Sequence, residues 1–336
     1  MLQKEFIDFN DLIKIGNETD VLREKREMLS EDFKKNFPEK CKLSNIEIKS
    51  SDISFVSQGS FKLNTTVTSK DNEVDLDLGV IFPLDIIEHE DPRKIKILGK
   101  EALEIPGRRF PIIKEPCITI DYVKKGEDWL HLDFPLYAEH QGQLYLARGK
   151  EHGNYLWEEA DPKELNKYII SKLTSSTGQP RRIVRYLKKW KQNVYSSNDT
   201  TEKKPPSIGL TLLVVDSLVE NESDLEALRT VFHAIRDRFM IVKNIDGEIV
   251  SAKITQNLPV KPHKDVFKNF DRTENHGIAF YKKIDKAVSN LDNALLCDNE
   301  HDAATYVAKV LGEEFSIPEK EIKTSQTNIK KEHSFG

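Results

Sequence analysis

The stretch VDLDLGVIF, residues 74–82, alternates apolar and acidic residues and then becomes wholly apolar. Because successive side chains of a β-strand point to opposite faces, Asp75 and Asp77 share one face and the apolar side chains between them share the other. The stretch therefore predicts a strand with one buried face and with two carboxylates about 7 Å apart on the second face.

Two like charges held this close repel each other, and a fold gains nothing structurally from the pair. A divalent cation would resolve the conflict, because Mg²⁺ prefers hard carboxylate oxygens and its charge offsets both acids. Acidic residues also alternate on ordinary solvated strand faces. Asp75 and Asp77 by themselves therefore leave both a metal site and a solvated face open.

Upstream, Gly59 and Ser60 interrupt an earlier strand-like run at residues 54–58. A turn of this kind before a short helix exposes backbone N–H groups and a hydroxyl that can hold phosphate, and glycine lets the backbone approach the anion closely. The alternative is an ordinary turn glycine beside a helix cap. The order of strand, Gly-Ser turn, short helix and Asp-x-Asp strand favours a phosphate-binding turn next to a metal site.

A third carboxylate is expected, because two metal ions need more than two acidic ligands. Asp121 and Asp133 are the candidates, in strand-like runs at residues 117–123 and 129–138. Alternation places Asp133 on the face opposite its apolar neighbours, which favours it, whereas Asp121 precedes a polar turn and is open to solvation.

The second half of the chain has mostly helical periodicity. In a helix from about residue 181 to 194, Arg181, Arg185 and Lys188 fall within about 60° of one another, and the opposite face is apolar. Such a face is either solvated or the counterpart of a triphosphate. Beside an acidic metal site, the second interpretation is favoured for Arg185 and Lys188, and Arg181 is left open.

Elsewhere the pattern predicts a helical N-terminal segment that Pro38 ends. It also predicts a strand at the sheet edge over residues 143–147 and a buried helix at 208–219. From residue 316 onwards periodicity disappears in a polar stretch, which indicates a disordered tail.

The chain has 336 residues with 51 Lys+Arg against 56 Asp+Glu, and its net charge of −5 argues against an overall basic binder of duplex nucleic acid. Its three cysteines lie too far apart in sequence for a CxxC ligand pair. No disulfide framework can be read from them, which fits a reducing cytosol. The N-terminus has no hydrophobic signal region, and no apolar run reaches the ~18 residues of a membrane span. We therefore expect a cytoplasmic protein with no membrane partner.

Several longer strings are similar to the bacterial CD-NTases, the cyclic GMP-AMP synthase/DncV-like nucleotidyltransferases of anti-phage CBASS systems. In the first half they are QGSFKL at 58–63, EVDLDLGV at 73–80 and HLDFPLYA at 131–138. In the second half they are RYLKKW at 185–190 and PSIGLTLL at 206–213. The Gly-Ser and Asp-x-Asp elements are common to the whole DNA polymerase beta-like superfamily, whereas the longer strings are more specific.

The resemblance implies an α+β fold, a bilobed polymerase beta-like nucleotidyltransferase with a mixed-sheet core and a helical second lobe. The expected division is an N-terminal helical segment bracing the lobes at residues 1–40, a catalytic core at 41–160, a helical lobe at 161–315 and a disordered tail at 316–336.

The resemblance also implies a cleft that holds two Mg²⁺ ions, or Mn²⁺, and nucleoside triphosphates such as ATP or GTP. It selects Asp133 over Asp121, so that the catalytic and metal-binding residues are Asp75, Asp77 and Asp133. The nucleotide-binding residues it implies are Gly59, Ser60, Arg185, Lys188 and Ser207. Ser207 alternatively serves only as the N-cap of the buried helix.

The implied activity is the joining of NTPs into a cyclic di- or trinucleotide signal, with release of pyrophosphate. A linear oligonucleotide product, as in the related 2′-5′ oligoadenylate synthases, is a close alternative. A binding protein on a catalytically dead scaffold is disfavoured by the intact acids, and an enzyme that adenylylates a protein or drug is disfavoured by the second-lobe strings. No spacing of His and Cys predicts a zinc site. The resemblance is therefore not to the vertebrate synthase, whose zinc-bearing insertion helps it bind DNA, and there is no basis for expecting activation by duplex DNA.

The polar tail ends in Gly336 and resembles those family members whose C-terminus is joined to a target by an associated ubiquitin-transfer-like enzyme. A thioester or amide at a terminal carboxylate requires a flexible and unhindered end, which glycine offers. The alternative is a disordered tail that ends in glycine by chance.

Overall fold

The structure, a computed structural model, describes residues 1–15, 20–68, 74–124, 127–195, 203–268, 270 and 276–320, without the side chains of 123–124 and 127–129. Within these ranges, the helices are α1 (Gln3–Ile13), α2 (Asp20–Leu43), α3 (Gly59–Lys62), α4 (Pro92–Leu103), α5 (Pro162–Leu173), α6 (Gln179–Val194), α7 (Ser207–Ser217), α8 (Asp224–Asp237), α9 (His276–Leu296) and α10 (Glu300–Leu311). The strands are β1 (Ser54–Gln58), β2 (Val74–Pro83), β3 (Ile112–Ile113), β4 (Ile118–Lys124), β5 (Glu127–Phe134), β6 (Leu136–His140), β7 (Gln143–Gly149), β8 (Tyr155–Ala160), β9 (Met240–Lys243) and β10 (Ile249–Lys253). None of the helices in the described ranges combines the length and apolar character that crossing a lipid bilayer requires.

Strand β2 is the centre of a mixed sheet formed by β1 to β8, and β9 and β10 form a separate hairpin. It pairs antiparallel with β1 and parallel with β5 and β6. Val74 lies opposite Leu130 and Val80 opposite Leu136, so β5 and β6 follow each other along β2 in one register. The single run predicted at 129–138 is therefore two strands separated by Pro135, which has no N–H to donate to a ladder. The α+β fold with a mixed sheet is confirmed.

The strand predicted at residues 143–147 exists as the longer β7, but it is not at the edge of the sheet. Strand β8 pairs along its outer side, from Leu144 opposite Ala160 to Gly149 opposite Tyr155. The alternation did not reveal β8 because its sequence, YLWEEA, has two adjacent acids and therefore does not alternate. One of them, Glu158, is held within the sheet by an ion pair with Arg148 at 3.0 Å.

Helix α2 continues past Pro38 to Leu43, so the prediction that Pro38 ends the N-terminal helical segment is wrong. Proline lacks the N–H that would bond the carbonyl of Lys34 one turn earlier. The Ser50 hydroxyl donates to that carbonyl instead, at 2.7 Å. Buried side chains on both sides of the proline keep the helix packed on the sheet.

The buried apolar side chains form two cores. A sheet-side core joins α2 and α4 to one face of the sheet, and a helical-side core joins α1 to α5 through α10. The rings of Phe6 and Phe9 in α1 lie 5.1 and 5.4 Å from the ring of Phe315 near the far end of the described chain. The two N-terminal helices therefore belong to different cores.

Lys96 of α4 is completely buried in the sheet-side half of the molecule. Its Nζ donates to the carbonyl oxygens of Lys114 at 2.5 Å, Glu115 at 2.8 Å and Gly149 at 2.7 Å. Burial lowers the pKa of Lys96 to about 8. Three carbonyl partners compensate this desolvation and tie α4 to the starts and ends of neighbouring strands.

Replacement of Lys96 by methionine should lower the free energy of unfolding by about 3 kcal/mol or more, because it leaves three carbonyl oxygens without a donor. Lys100 on the same helix is the matched control, since among the described residues its Nζ makes a single, exposed ion pair, with Glu151 at 2.7 Å. The Lys100→Met variant should lose less than about 1 kcal/mol. Urea unfolding followed by circular dichroism measures both, and equal losses would contradict the structural role of Lys96.

Candidate active site

Three aspartates predicted from the sequence lie on one face of the sheet. In the parallel pairing of β2 with β5, Asp77 lies opposite Asp133 and Asp75 lies opposite His131. Paired residues of adjacent strands project to the same side, and residues two apart on one strand do so as well. Asp75, Asp77 and Asp133 accordingly line one pocket of about 570 Å³.

Neighbouring strand β4 separates the two candidates for the third carboxylate. Thr119 lies opposite Asp133, and its hydroxyl donates to Asp133 Oδ1 at 2.5 Å. Asp121 is exposed, shares a hydrogen bond of 2.6 Å with His131 Nδ1, and is not among the residues that line the pocket. The geometry therefore groups Asp133, and not Asp121, with the two acids of β2.

The Gly-Ser turn lies directly against this acidic face. Gly59 has a φ of 73°, and a Cβ on it would lie 1.8 Å from Asp77 Oδ2. Both the left-handed backbone and the close approach require glycine. Ser60, at the pocket wall, shares a hydrogen bond of 3.1 Å with the hydroxyl of Thr66. The turn and the acids thus form one continuous surface.

Helices α6 and α7 form the opposite wall, which contains Lys188 and Ser207 as predicted. Ser207 is the first residue of α7 and makes no side-chain capping bond, so the interpretation as an N-cap is not supported. Its hydroxyl accepts a hydrogen bond of 2.8 Å from Lys191 Nζ.

The pocket is also lined by two cations that were not predicted from the sequence, Lys191 and Lys204. The helical spacing already contained the signal for Lys191, which lies about one turn beyond Lys188. Lys204 lies in the polar segment before α7, where no periodicity marked it.

Arg185 is not among the residues that line the pocket, which corrects the expectation that it faces a triphosphate. Its guanidinium donates to Asn10 Oδ1 and to the carbonyl of Asn64, both at 2.7 Å. Arg181, left open by the sequence, donates to the carbonyl of Leu173 at 2.8 Å and also lies outside the pocket lining. The segment that follows α3 lies against this part of the basic face and takes up its donors.

Electrostatics make the acidic face unfavourable in the absence of a cation. Burial raises the pKa of Asp77 to about 7, and the charges of Asp133 and Asp75 act in the same direction. Partial loss of water in the cleft raises the pKa of Asp75, which remains exposed to solvent, and the opposing effect of His131 is smaller.

Two lysines of the basic wall, Lys188 and Lys191, are likewise buried close to one another, so their charged forms are destabilised. Burial lowers the pKa of Lys188 to about 7, helped by the charges of Lys191 and Arg185. Burial likewise lowers the pKa of Lys191 to about 8, helped by Lys204. A ligand that places a cation near the acids and a polyanion near the lysines would relieve both repulsions.

Within the described residues, no three acidic, histidine or cysteine side chains are gathered tightly enough to grip a metal ion as they stand. The chemistry of the donor set nevertheless fits Mg²⁺, which prefers carboxylate oxygens and offsets their charge. Asp75, Asp77 and Asp133 share a face and a pocket, and the first two have raised pKa values. They are therefore the residues that would hold such an ion.

Replacement of Gly59 by alanine should lower the free energy of unfolding more than a backbone effect alone explains, because the new Cβ meets the Asp77 carboxylate. Gly142 is the matched control, with a φ of 75° and no atom within 4 Å of an added Cβ. We expect about 1 kcal/mol of loss for Gly142→Ala and at least about 1 kcal/mol more for Gly59→Ala. Denaturant titration of both variants checks this, and matching midpoints would show that the contact with Asp77 is not restrictive.

Comparison with known proteins places the site in a family context. Residues 53–137, which contain β1, the Gly-Ser turn, β2 and Asp133, match the model of the cyclic GMP-AMP synthase DncV-like nucleotidyltransferase domain.

Solved structures of similar fold extend the likeness along the chain. The Vibrio cholerae DncV cyclic AMP-GMP synthase with the linear intermediate 5′ pppA(3′,5′)pG has a TM-score of 0.69 and 17% identity, over 94% of this chain and 96% of that one. Its complex with nonhydrolyzable GTP gives the same values. The 3′-deoxy GTP bound form of Escherichia coli DncV has a TM-score of 0.65 and 17% identity, over 90% of this chain and 93% of that one. The resemblance noted in the sequence is thereby confirmed: residues 53–137 match the DncV-like nucleotidyltransferase domain, and the chain has the fold of the DncV structures.

Proposed function

We propose that this chain is an enzyme that joins nucleoside triphosphates through successive phosphodiester bonds into a cyclic di- or trinucleotide and releases pyrophosphate. The observation that carries the proposal is that three aspartates, a Gly-Ser turn and three lysines line one pocket. The Vibrio cholerae synthase of the same fold has been solved with a linear dinucleotide intermediate, which supports stepwise joining.

The basic wall and the turn would bind the donor triphosphate. The Ser60 hydroxyl and the backbone at Gly59 line the pocket beside the acids and would hold the β- and γ-phosphates, with the α-phosphorus facing the acids. The cations that would neutralise the phosphates are Lys188, Lys191 and Lys204. Because Lys191 is already bonded to Ser207, its ammonium is held in place before the nucleotide arrives.

Asp75 and Asp77 would hold two Mg²⁺ ions, with Asp133 completing the site of the ion nearer the attacking hydroxyl. When bound, these ions lower the pKa of that hydroxyl and offset the charge that grows on the leaving pyrophosphate. The attack forms a bond from the ribose oxygen to the α-phosphorus, and the bond from that phosphorus to pyrophosphate breaks.

Asp133 is the best placed residue to accept the proton of the attacking hydroxyl. The bond from Thr119 to its Oδ1 orients the carboxylate and leaves Oδ2 for the proton. A carboxylate fixed in this way provides a base on the acidic face at no cost in side-chain freedom at the moment of reaction.

The wider role we propose is anti-phage signalling in a CBASS system in the cytoplasm, with ATP and GTP as the expected substrates. The buried, unpaired thiols of Cys41 and Cys117 suit a reducing compartment. We also propose the expected division into residues 1–40, 41–160, 161–315 and 316–336. A further part of the proposal is that an accessory enzyme acts on Gly336, which lies outside the described residues. Deletion of the last residues should abolish conjugation and leave nucleotide synthesis unchanged.

Incubation of the purified protein with each radiolabelled NTP, singly and in mixtures, tests the proposal. A cyclic product keeps its chromatographic position after phosphatase treatment, because it has no terminal phosphate to lose. A shift after phosphatase would establish the linear alternative. No product from any NTP, with binding retained, would instead indicate a catalytically dead scaffold.

Replacement of Asp77 by asparagine should reduce pyrophosphate release by about 1,000-fold or more, because one of the carboxylates that would hold the metal ions is lost. The free energy of unfolding should not fall, since the repulsion among the three acids is relieved. Asp121→Asn, on the same sheet but outside the pocket, is the control and should keep most of the activity. A coupled pyrophosphate assay and urea unfolding measure the two effects, and equal losses in the two variants would count against the assignment.

Activity should require a divalent cation. EDTA should abolish pyrophosphate release, and Mg²⁺ or Mn²⁺ added in excess should restore it. Without an ion the three carboxylates repel one another, and nothing lowers the pKa of the attacking hydroxyl. The measurement is a metal titration of the coupled assay, and full activity in EDTA would contradict the mechanism.

A further inference from the structure

Four cations of helix α6 donate to the segment that follows the Gly-Ser turn, here called loop 63–68. Lys188 Nζ donates to both the carbonyl and the hydroxyl of Thr65, each at 3.0 Å. Lys189 Nζ lies 3.4 Å from the carbonyl of Thr68, and Arg181 Nε lies 3.4 Å from the carbonyl of Leu63. The basic face of α6 thus donates hydrogen bonds to several backbone carbonyls of one loop.

Arg185 makes the shortest of these contacts. It is only 6% exposed, and its guanidinium reaches the carbonyl of Asn64 at 2.7 Å and the Asn64 side-chain oxygen at 3.3 Å. Asn64 has a positive φ of 53°, a conformation that costs free energy in a residue other than glycine. Arg185 therefore holds the one residue of the loop whose backbone is strained.

A contribution to the stability of the fold does not by itself explain why arginine occupies position 185. Its Nε is buried without a hydrogen-bond partner, and no carboxylate among the described residues lies within ion-pair distance of it. Burial lowers its pKa, and the charges of Arg181 and Arg182 add to that effect. A buried cation that makes no close ion pair with the described residues is costly, which favours a role of its hydrogen bonds in the site.

The loop in turn holds the phosphate-binding turn. The Thr65 amide donates to the Ser60 carbonyl at 2.9 Å, and the Thr66 hydroxyl shares a hydrogen bond of 3.1 Å with the Ser60 hydroxyl. On its other side, the loop pairs with the end of α1, where the Thr68 amide donates to the Ile13 carbonyl at 2.8 Å. A short and continuous set of contacts therefore links Arg185 to Ser60.

We propose that Arg185 is a positioning residue that sets the orientation of Ser60 through Asn64 and loop 63–68, and so controls nucleotide affinity without touching the nucleotide. The inference rests on the proposed function, because it assumes that Ser60 binds phosphate. Phosphate contacts made in both the ground state and the transition state act on KM and leave kcat unchanged.

The test compares Arg185→Met and Arg185→Lys with Arg109→Met. Arg109 is a matched control, since it is also 6% exposed. Its guanidinium likewise donates to a backbone carbonyl, that of Leu103, and to a side-chain oxygen, Asp32 Oδ2. We expect KM for NTP to rise about tenfold in Arg185→Met and about threefold in Arg185→Lys, with kcat within about twofold of wild type. Arg109→Met should lose stability and keep its KM.

Two further readouts keep the inference falsifiable if turnover is weak or a variant is unstable. Hydrogen exchange at the Thr65 amide should be faster in both Arg185 variants than in wild type and Arg109→Met, measured where all are folded. Equilibrium binding of nonhydrolysable ATP and GTP analogues should weaken in step with KM.

A KM equal to wild type in folded Arg185→Met would overturn the inference and leave the proposed function standing. An equal rise of KM in Arg109→Met would overturn it as well, because the effect would then be one of general stability. A wild-type chain that binds the analogues but makes no product would overturn the proposed function alone, with the positioning role judged by affinity and exchange. Failure of wild type to bind either analogue would overturn both.

Discussion

Like charges gathered on each wall of one cleft are the constraint on which the rest of this molecule depends. Acids on the sheet and lysines on α6 are each desolvated and each repelled by their own kind, which the shifted pKa values of Asp77 and Lys188 express. The two cores beneath the walls prevent the charges from moving apart. A cation on the acidic wall and a polyanion on the basic wall would together neutralise both walls, so each ligand should strengthen the binding of the other.

Several groups that face the pocket are positioned by neighbouring residues. Thr119 orients Asp133, Ser207 holds Lys191, and the bare α-carbon of Gly59 leaves room for the Asp77 carboxylate. Preorganisation of this kind places the reacting groups before the substrate arrives. It also explains why residues outside the pocket, such as Arg185, matter for what happens within it.

Alternation along β2 and β5 was sufficient to find the acidic face, because the side-chain period of a strand depends on backbone geometry alone. The register that sets Asp133 opposite Asp77 is a long-range property, and it required the structure. Helical spacing likewise identified which side chains of α6 share a face but not what lies against them. Loop 63–68 covers Arg185, whereas the pocket opens at Lys188 and Lys191. Pro38 lies inside a helix for the same kind of reason, since its partner Ser50 is remote from the local pattern.

The helical-side core is closed by residues from both ends of the described chain, with Phe6 and Phe9 packed against Phe315. The sheet-side core, in contrast, is complete by β8. During synthesis on the ribosome the sheet can therefore fold while α1 still waits for its partners, since domains fold as their residues emerge. The loop that α1 and α6 hold between them, and with it the nucleotide site, cannot reach its final form until nearly the whole chain has been translated. A nascent chain of this protein therefore cannot complete the pocket early in its synthesis.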